Sequence, residues 1–118
     1  MTPRAPEPVS LTPLRPVELL ILTALGTGEL HGYAIRKAVL DRTTGRVSIE
    51  AGNLYRHLRS LGEDGLVAEA ASRTDDDERR IYYALTPLGR RVLAAELERL
   101  RSLVQYAEGQ GIIARSRV

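Results

Sequence analysis

The residues best suited to chemistry are concentrated in one short stretch, residues 48–66, with the sequence SIEAGNLYRHLRSLGEDGL. If this stretch is a helix, Leu54, Leu58 and Leu61 fall on one side, at i, i+4 and i+7. The opposite side and its flanks then carry amide, hydroxyl and cationic groups, on Asn53, Arg56, His57, Arg59 and Ser60. Groups of these types hydrogen-bond to base edges and to phosphates, so the pattern predicts a helix that reads nucleic acid.

Several residues of this helix have two possible roles. Asn53 could read adenine through its amide, and Arg56 and Arg59 could bind guanine or phosphate, or all three could form a merely solvated face. Gly52 lowers helix propensity by about 1 kcal/mol relative to alanine. Such a glycine suggests that the backbone lies close to a phosphate or base, or that it packs closely on a neighbouring helix. Ser48 is predicted to cap the first turn.

The composition narrows the classes of function. The 118 residues include no Cys, Phe or Trp, so the core must be aliphatic, and disulfides and thiolate metal sites are excluded. Both histidines lack partners for catalysis, and no P-loop or zinc signature is present, so we predict no enzyme and no cofactor. No apolar run reaches the roughly 18 residues that span a bilayer, and we therefore expect a cytoplasmic protein without a membrane partner.

The cations are almost all arginine, since Lys37 is the single lysine among 17 basic residues. The planar guanidinium matches phosphate and the guanine edge, which favours nucleic-acid binding. The same bias could reflect genome composition, so both interpretations stay open.

Two helices are predicted before the polar stretch and a hairpin after it. The first helix covers Val17–Leu25 and ends at Gly26, the second runs from about residue 31 to 42, and residues 1–13 are predicted to be a flexible arm. Alternating residues predict strands over 66–73 and 79–86, joined by an acidic tip at 74–78. The tip would be repelled by phosphate, so we expect it to point away from a duplex while Arg79 and Arg80 contact phosphates. Its acids lack the ligand spacing of an EF-hand, so no metal site is predicted.

A last helix is predicted to begin at Thr86–Pro87 and to end near Ala107, before a flexible tail over 109–118. Its apolar residues step by four and three, which is the spacing of a coiled-coil seam. The seam consists of Leu93, Leu97, Leu100, Val104 and Ala107. We predict that this seam forms a homodimer, and burial of the same residues against their own domain is the alternative.

Three helices, a hairpin and a closing helix make a winged helix-turn-helix, a mainly α fold with a small β-hairpin. Three motifs then resemble the PadR family of bacterial transcriptional regulators: LHGYAI at 30–35, GNLYRHLRSLGEDGL at 52–66 and RRIYYALTPLGRRVL at 79–93. The resemblance covers most of the chain. It implies a DNA-binding domain over 14–86 and a single dimerisation helix over 87–108, as in the family's small subgroup.

The family also implies a function: a homodimeric repressor that binds a palindromic operator in double-stranded DNA and is released by a small molecule. It implies that Tyr55, in the LY pair, lies near the DNA backbone, although this tyrosine could simply pack. His31 and Tyr33, in the HGY motif, would lie where helix amides favour a phosphate, although His31 could instead cap that helix. Tyr106 is the aromatic residue on the last helix that could contact an effector. A winged-helix module that binds only protein is the competing hypothesis.

Overall fold

The computed structural model describes residues 7–70 and 80–116, and these form four helices and three short strands. The helices are α1 Pro16–Ala24, α2 Gly32–Arg42, α3 Ala51–Glu63 and α4 Pro87–Gly109, and the strands are β1 Leu30–His31, β2 Val67–Ala70 and β3 Tyr82–Leu85. Short 3-10 turns occur at Pro8–Leu11 and Leu25–Thr27. The predicted acidic tip and Arg79 lie outside the described residues.

The predicted hairpin is present as β2 and β3, but a third strand extends the sheet. The strand order is β1-β3-β2 and both pairings are antiparallel, with Leu30 opposite Tyr83 and Val67 opposite Leu85. A two-residue strand is too short to show a period of two, which is why β1 could not be recognised from local pattern. As a result the start of α2 is hydrogen-bonded to the base of the wing.

The core is aliphatic, as the composition predicts, and α3 supplies its predicted stripe. Leu54, Leu58 and Leu61 are all buried there. They pack with residues from the other three helices: Ile21, Leu22, Ile35, Val39, Val92 and Leu93. The other side of α3 is therefore free to face solvent. None of the helices in the described ranges is both long and apolar enough to cross a bilayer.

The start of α3 is set by the loop before it rather than by a serine cap. Glu50 is the residue that directly precedes the helix, and Ser48 lies exposed further back in the loop, so the predicted Ser48 cap is wrong. Ile49 is instead buried, and the Nε of Arg36 donates to its carbonyl oxygen at 2.6 Å. This hydrogen bond from α2 fixes the point at which α3 begins.

The start of α4 is held tightly against the loop between α3 and β2. Thr86 is the predicted cap: its hydroxyl accepts from the Gly89 amide at 2.9 Å and donates to the Gly65 carbonyl at 2.5 Å. Gly89 itself lies against the backbone of Leu66, which leaves no space for a side chain. The wing and α4 are thus joined through backbone contacts.

Part of the segment before α1, residues 8–11 of the predicted arm, forms a 3-10 turn. This 3-10 turn packs on α4, and Leu11 and Leu14 contact the core. The Leu14 amide donates to Oε2 of Glu96 at 2.6 Å, and the Nε of Arg99 donates to Oε1, also at 2.6 Å. Glu96 is 1% exposed, and the hydrogen bond from Arg99 lowers its pKa, so the buried carboxylate stays charged.

Helix α4 has two halves with different surroundings. Leu93 is buried in the core of its own chain, so its prediction as a dimerisation residue is wrong, because the first turns of α4 cover α1 and the sheet. The second half extends past this core. Large apolar side chains are exposed there: Leu97 (42%), Leu103 (58%), Val104 (46%) and Tyr106 (58%).

Candidate nucleic-acid interface

The outer face of α3 carries the polar groups that the sequence predicts. Asn53, Arg56 and Arg59 are exposed, as is Ser60 beside them. Nη2 of Arg56 donates to Oδ1 of Asn53, one turn away on the same face. The contact holds the two side chains together and leaves the Asn53 amide nitrogen and the other guanidinium donors available to a ligand.

His57 lies at the edge of α3 and faces α1 instead of this polar face. Its Nδ1 is 3.5 Å from Oε2 of Glu18, and its side chain is partly buried. The helical wheel puts His57 at an intermediate position, which is why the sequence pattern groups it with the polar residues of the helix. The contact with Glu18 of α1 accompanies its partial burial.

Gly52 has open space where its side chain would be. A Cβ at this position would meet no atom within 4 Å. Packing on a neighbouring helix therefore does not account for this glycine among the described residues. The α3 backbone at Gly52 is thus open to close approach from outside the domain.

His31 caps α2, which confirms one of the two roles considered for it. Its Nδ1 accepts from the Ala34 amide at 3.2 Å. The ring lies nearly parallel to that of Tyr33, with centroids 6.3 Å apart, and meets Tyr82 edge-on at 5.4 Å. Since a neutral imidazole with an acceptor at Nδ1 carries its proton on Nε2, the second nitrogen is a donor in this tautomer.

Arg80 brings a second donor to the same place. Its Nη1 lies 3.4 Å from Nε2 of His31, because β1 pairs with β3 just beyond Arg80. Both groups then present N–H bonds to one space, and an anionic oxygen placed there would accept from both. A pocket of about 180 Å³ at this point is lined by His31, Gly32, Tyr33, Tyr55, Arg80 and Ile81.

Tyr55 connects the HGY and LY motifs. A Cβ on Gly32 would lie 3.2 Å from the Tyr55 hydroxyl, so the glycine leaves room for this ring over the start of α2. Tyr55 packs there and is nevertheless about half exposed. Its hydroxyl is therefore placed beside the donors of His31 and Arg80.

A larger groove separates α3 from the wing. Its volume is about 490 Å³, and its polar lining residues are Tyr55, Arg59, Glu69 and Tyr83. Burial, followed by the nearby charge of Glu69, raises the pKa of Tyr83, so this phenol keeps its proton and remains a donor. The groove thus carries hydroxyl and guanidinium donors along the side of α3.

The arrangement is that of a winged helix with a donor-rich face, and its family can be stated from comparison with known proteins. Residues 21–95 match the transcriptional regulator PadR-like family. The chain belongs to this family. The resemblance seen in the three sequence motifs is thereby confirmed, and the family is one of transcriptional regulators.

Individual relatives of this PadR-like chain are distant. An uncharacterized 37.1 kDa protein in transposon TN4556 of Streptomyces fradiae is 34% identical over 86 residues, which are 73% of this chain. The chain spans only 23% of the length of that relative. A transcriptional regulator from Clostridium thermocellum superposes with a TM-score of 0.66 at 25% identity, covering 79% of this chain and 87% of the other.

One similar structure contains DNA. Bacillus subtilis PadR in complex with operator DNA superposes with a TM-score of 0.61 at 25% identity, over 70% of this chain and 47% of that protein. The winged domain of the PadR-like chain therefore has the fold of a protein that has been seen on its operator.

Proposed function

We propose that this chain is a homodimeric transcriptional repressor that binds a palindromic operator and is released by a small molecule. The observation that carries DNA binding is the convergence of donors on one face: the outer side of α3, the capping histidine of α2 and the first described residue of the wing. These groups come from three separate segments of the chain. The side chains that carry these donors lie at the surface and are not part of the hydrophobic core, so packing of the core does not explain why they come together.

In the proposed complex, α3 enters the major groove with its N-terminal half towards the bases. Asn53 and Arg56, already held together, then face base edges, while Arg59 faces a base or the adjoining phosphates. Gly52 lets the α3 backbone approach the duplex. His31, Tyr33, Tyr55 and Arg80, which line one pocket, hold the sugar-phosphate backbone. Arg79 has this role from the sequence prediction alone.

The dimer is supported by the second half of α4. Leu97, Leu100, Val104 and Ala107 lie along its seam, and Leu103 widens the exposed apolar surface. An isolated chain would leave this surface in water, at a cost of about 25 cal/mol for each Å² of apolar area. A second copy of α4 would cover it and would set two copies of α3 about one helical turn of DNA apart.

An effector, in this proposal, binds near the same helix. Tyr106 is the aromatic residue of α4 and is exposed, so its ring is available to a flat apolar molecule. Repression itself rests on the family resemblance. The proposed effector site and the proposed repression both depend on the dimer.

DNA binding is tested by selecting duplexes from a random pool with the wild-type chain and then measuring affinity for the selected sequence. Arg56→Ala is expected to weaken binding by about 1 to 3 kcal/mol and to relax the preference at one or two base positions. Arg80→Ala is expected to weaken binding equally on all sequences. Arg91→Ala, an exposed cation on α4 away from the seam, serves as the matched control. Absence of binding by folded wild type at low salt would favour a protein-binding module instead.

Gly52→Ala should separate folding from binding. The variant is expected to gain up to about 1 kcal/mol of stability, because alanine is the better helix former and no atom obstructs its methyl group. Operator affinity is expected to fall by roughly tenfold, because that methyl would intrude between α3 and the duplex. Urea denaturation and operator titration measure the two effects. A variant that is more stable and binds as tightly as wild type would remove Gly52 from the interface.

A further inference from the structure

A second polar surface adjoins the candidate interface on the outer side of α2. We call it the α2 surface. It surrounds a shallow pocket of about 240 Å³ and consists of Tyr33, Arg36, Lys37, Leu40, Asp41, Ser48 and Ile49. Among these residues, Tyr33 belongs to one of the sequence motifs, HGY.

The α2 surface is continuous with the proposed DNA-binding face. Tyr33 is 68% exposed and lines both this pocket and the pocket that holds His31 and Arg80. Ser48 and Ile49 come just before α3, so the surface also borders the end of α3 that would be nearest to the bases. Seen from Tyr33, the α2 surface extends away from Arg80 and the wing.

The charges of the α2 surface suit a phosphate backbone. Lys37 is exposed on the same helical face as Tyr33 and makes no ion pair with any residue in the described ranges. Arg36 adds a second cation, and its Nε bond to the Ile49 carbonyl holds it in place. Asp41 is the one acid among the lining residues. The hydroxyl groups of Tyr33 and Ser48 supply further donors.

We infer that the α2 surface binds DNA phosphates on the side of the half-site opposite to the wing, with Lys37 as its principal contact. This inference rests on the proposed function. It assigns the only lysine of the chain to the DNA backbone and enlarges the duplex length that each subunit covers. The exposed side chains of Tyr33 and Leu40 would lie against the deoxyriboses between those phosphates.

The test measures operator affinity against salt for wild type, Lys37→Ala, Lys37→Arg and Arg91→Ala. Arg91 is an exposed cation on α4 and belongs to neither surface, so it controls for net charge. Lys37→Ala is expected to lower the slope of log affinity against log salt by about 0.9, which corresponds to roughly 3.5-fold between about 50 and about 200 mM salt. Lys37→Arg should keep the wild-type slope.

A second measurement locates the contact. Single phosphates of the operator are replaced by neutral methylphosphonates, and each duplex is titrated with wild type, Lys37→Ala and Arg80→Ala. At one or two phosphates, neutralisation and Lys37→Ala should together lower the affinity by less than the sum of their separate effects. These phosphates should lie on the opposite side of the half-site from those that give the same result with Arg80→Ala. An unchanged salt slope, or coupling of both variants to the same phosphates, would overturn the inference while leaving the proposed function standing. A wild-type chain that binds no duplex would overturn both.

Discussion

A Val104→Glu variant is expected to be monomeric and to bind its operator at least about a hundredfold more weakly than wild type. Val104 lies on the exposed apolar side of α4, where a second copy is proposed to pack. A carboxylate there would have to give up its water when the two apolar surfaces meet, which costs several kcal/mol. Loss of the dimer then removes the advantage of binding two half-sites together, which is commonly a factor of about 10² to 10⁴.

Gln105→Glu provides the control for this variant, because it adds the same charge at the next position of the helix, on the exposed side away from the seam. It should stay dimeric and keep its affinity. Sedimentation at several protein concentrations gives the oligomeric state, and titration of full and half operators gives the affinities. A dimeric Val104→Glu variant would show that α4 is not the interface and that its apolar side has another occupant.

Gly89→Ala is expected to destabilise the fold by about 3 kcal/mol or more, a large part of the roughly 5 to 15 kcal/mol typical of a small domain. The added Cβ would lie 2.0 Å from the carbonyl oxygen of Leu66 and 2.8 Å from its carbonyl carbon. Because both are backbone atoms, a change of rotamer cannot relieve the overlap. The start of α4 would have to move away from β2, and the Thr86 cap would move with it.

Gly109→Ala, in the last turn of the same helix, provides the comparison. A Cβ at this position would meet no atom within 4 Å, so the substitution should leave stability unchanged or raise it by up to about 1 kcal/mol. Urea unfolding at a single protein concentration measures both variants, since dimerisation makes stability depend on concentration. Equal stability of the two variants would mean that α4 and Leu66 are not in contact.

The parts of the structure that follow a local period could be predicted from the sequence. The leucines of α3 repeat at helical spacing and are buried, and Thr86 followed by Pro87 marks the start of α4. The polar face of the candidate site could be predicted as well, because the residues on the exposed side of a helix are known once those on its buried side are known. Asn53, Arg56 and Arg59 can be located in this way.

Features that depend on contacts between distant segments could not be predicted. The proximity of His31 and Arg80, 49 positions apart in the chain, arises from the pairing of a two-residue strand with β3. The start of α3 depends on Arg36 reaching the Ile49 carbonyl, whereas local preference alone predicts a cap residue. Leu93 fits the α4 seam by spacing, and only the position of α1 and the sheet shows that it is buried within its own chain.

The bond between the Leu14 amide and Glu96 has an evolutionary consequence. It joins residues 82 positions apart, one just before the first helix and the other in the helix proposed to pair the subunits. The direction in which α4 leaves the winged domain is therefore set partly by a segment that is separate from α3 and from the exposed half of α4. Natural selection could change this segment to suit operators with a different distance between half-sites and leave the base preference of the protein intact.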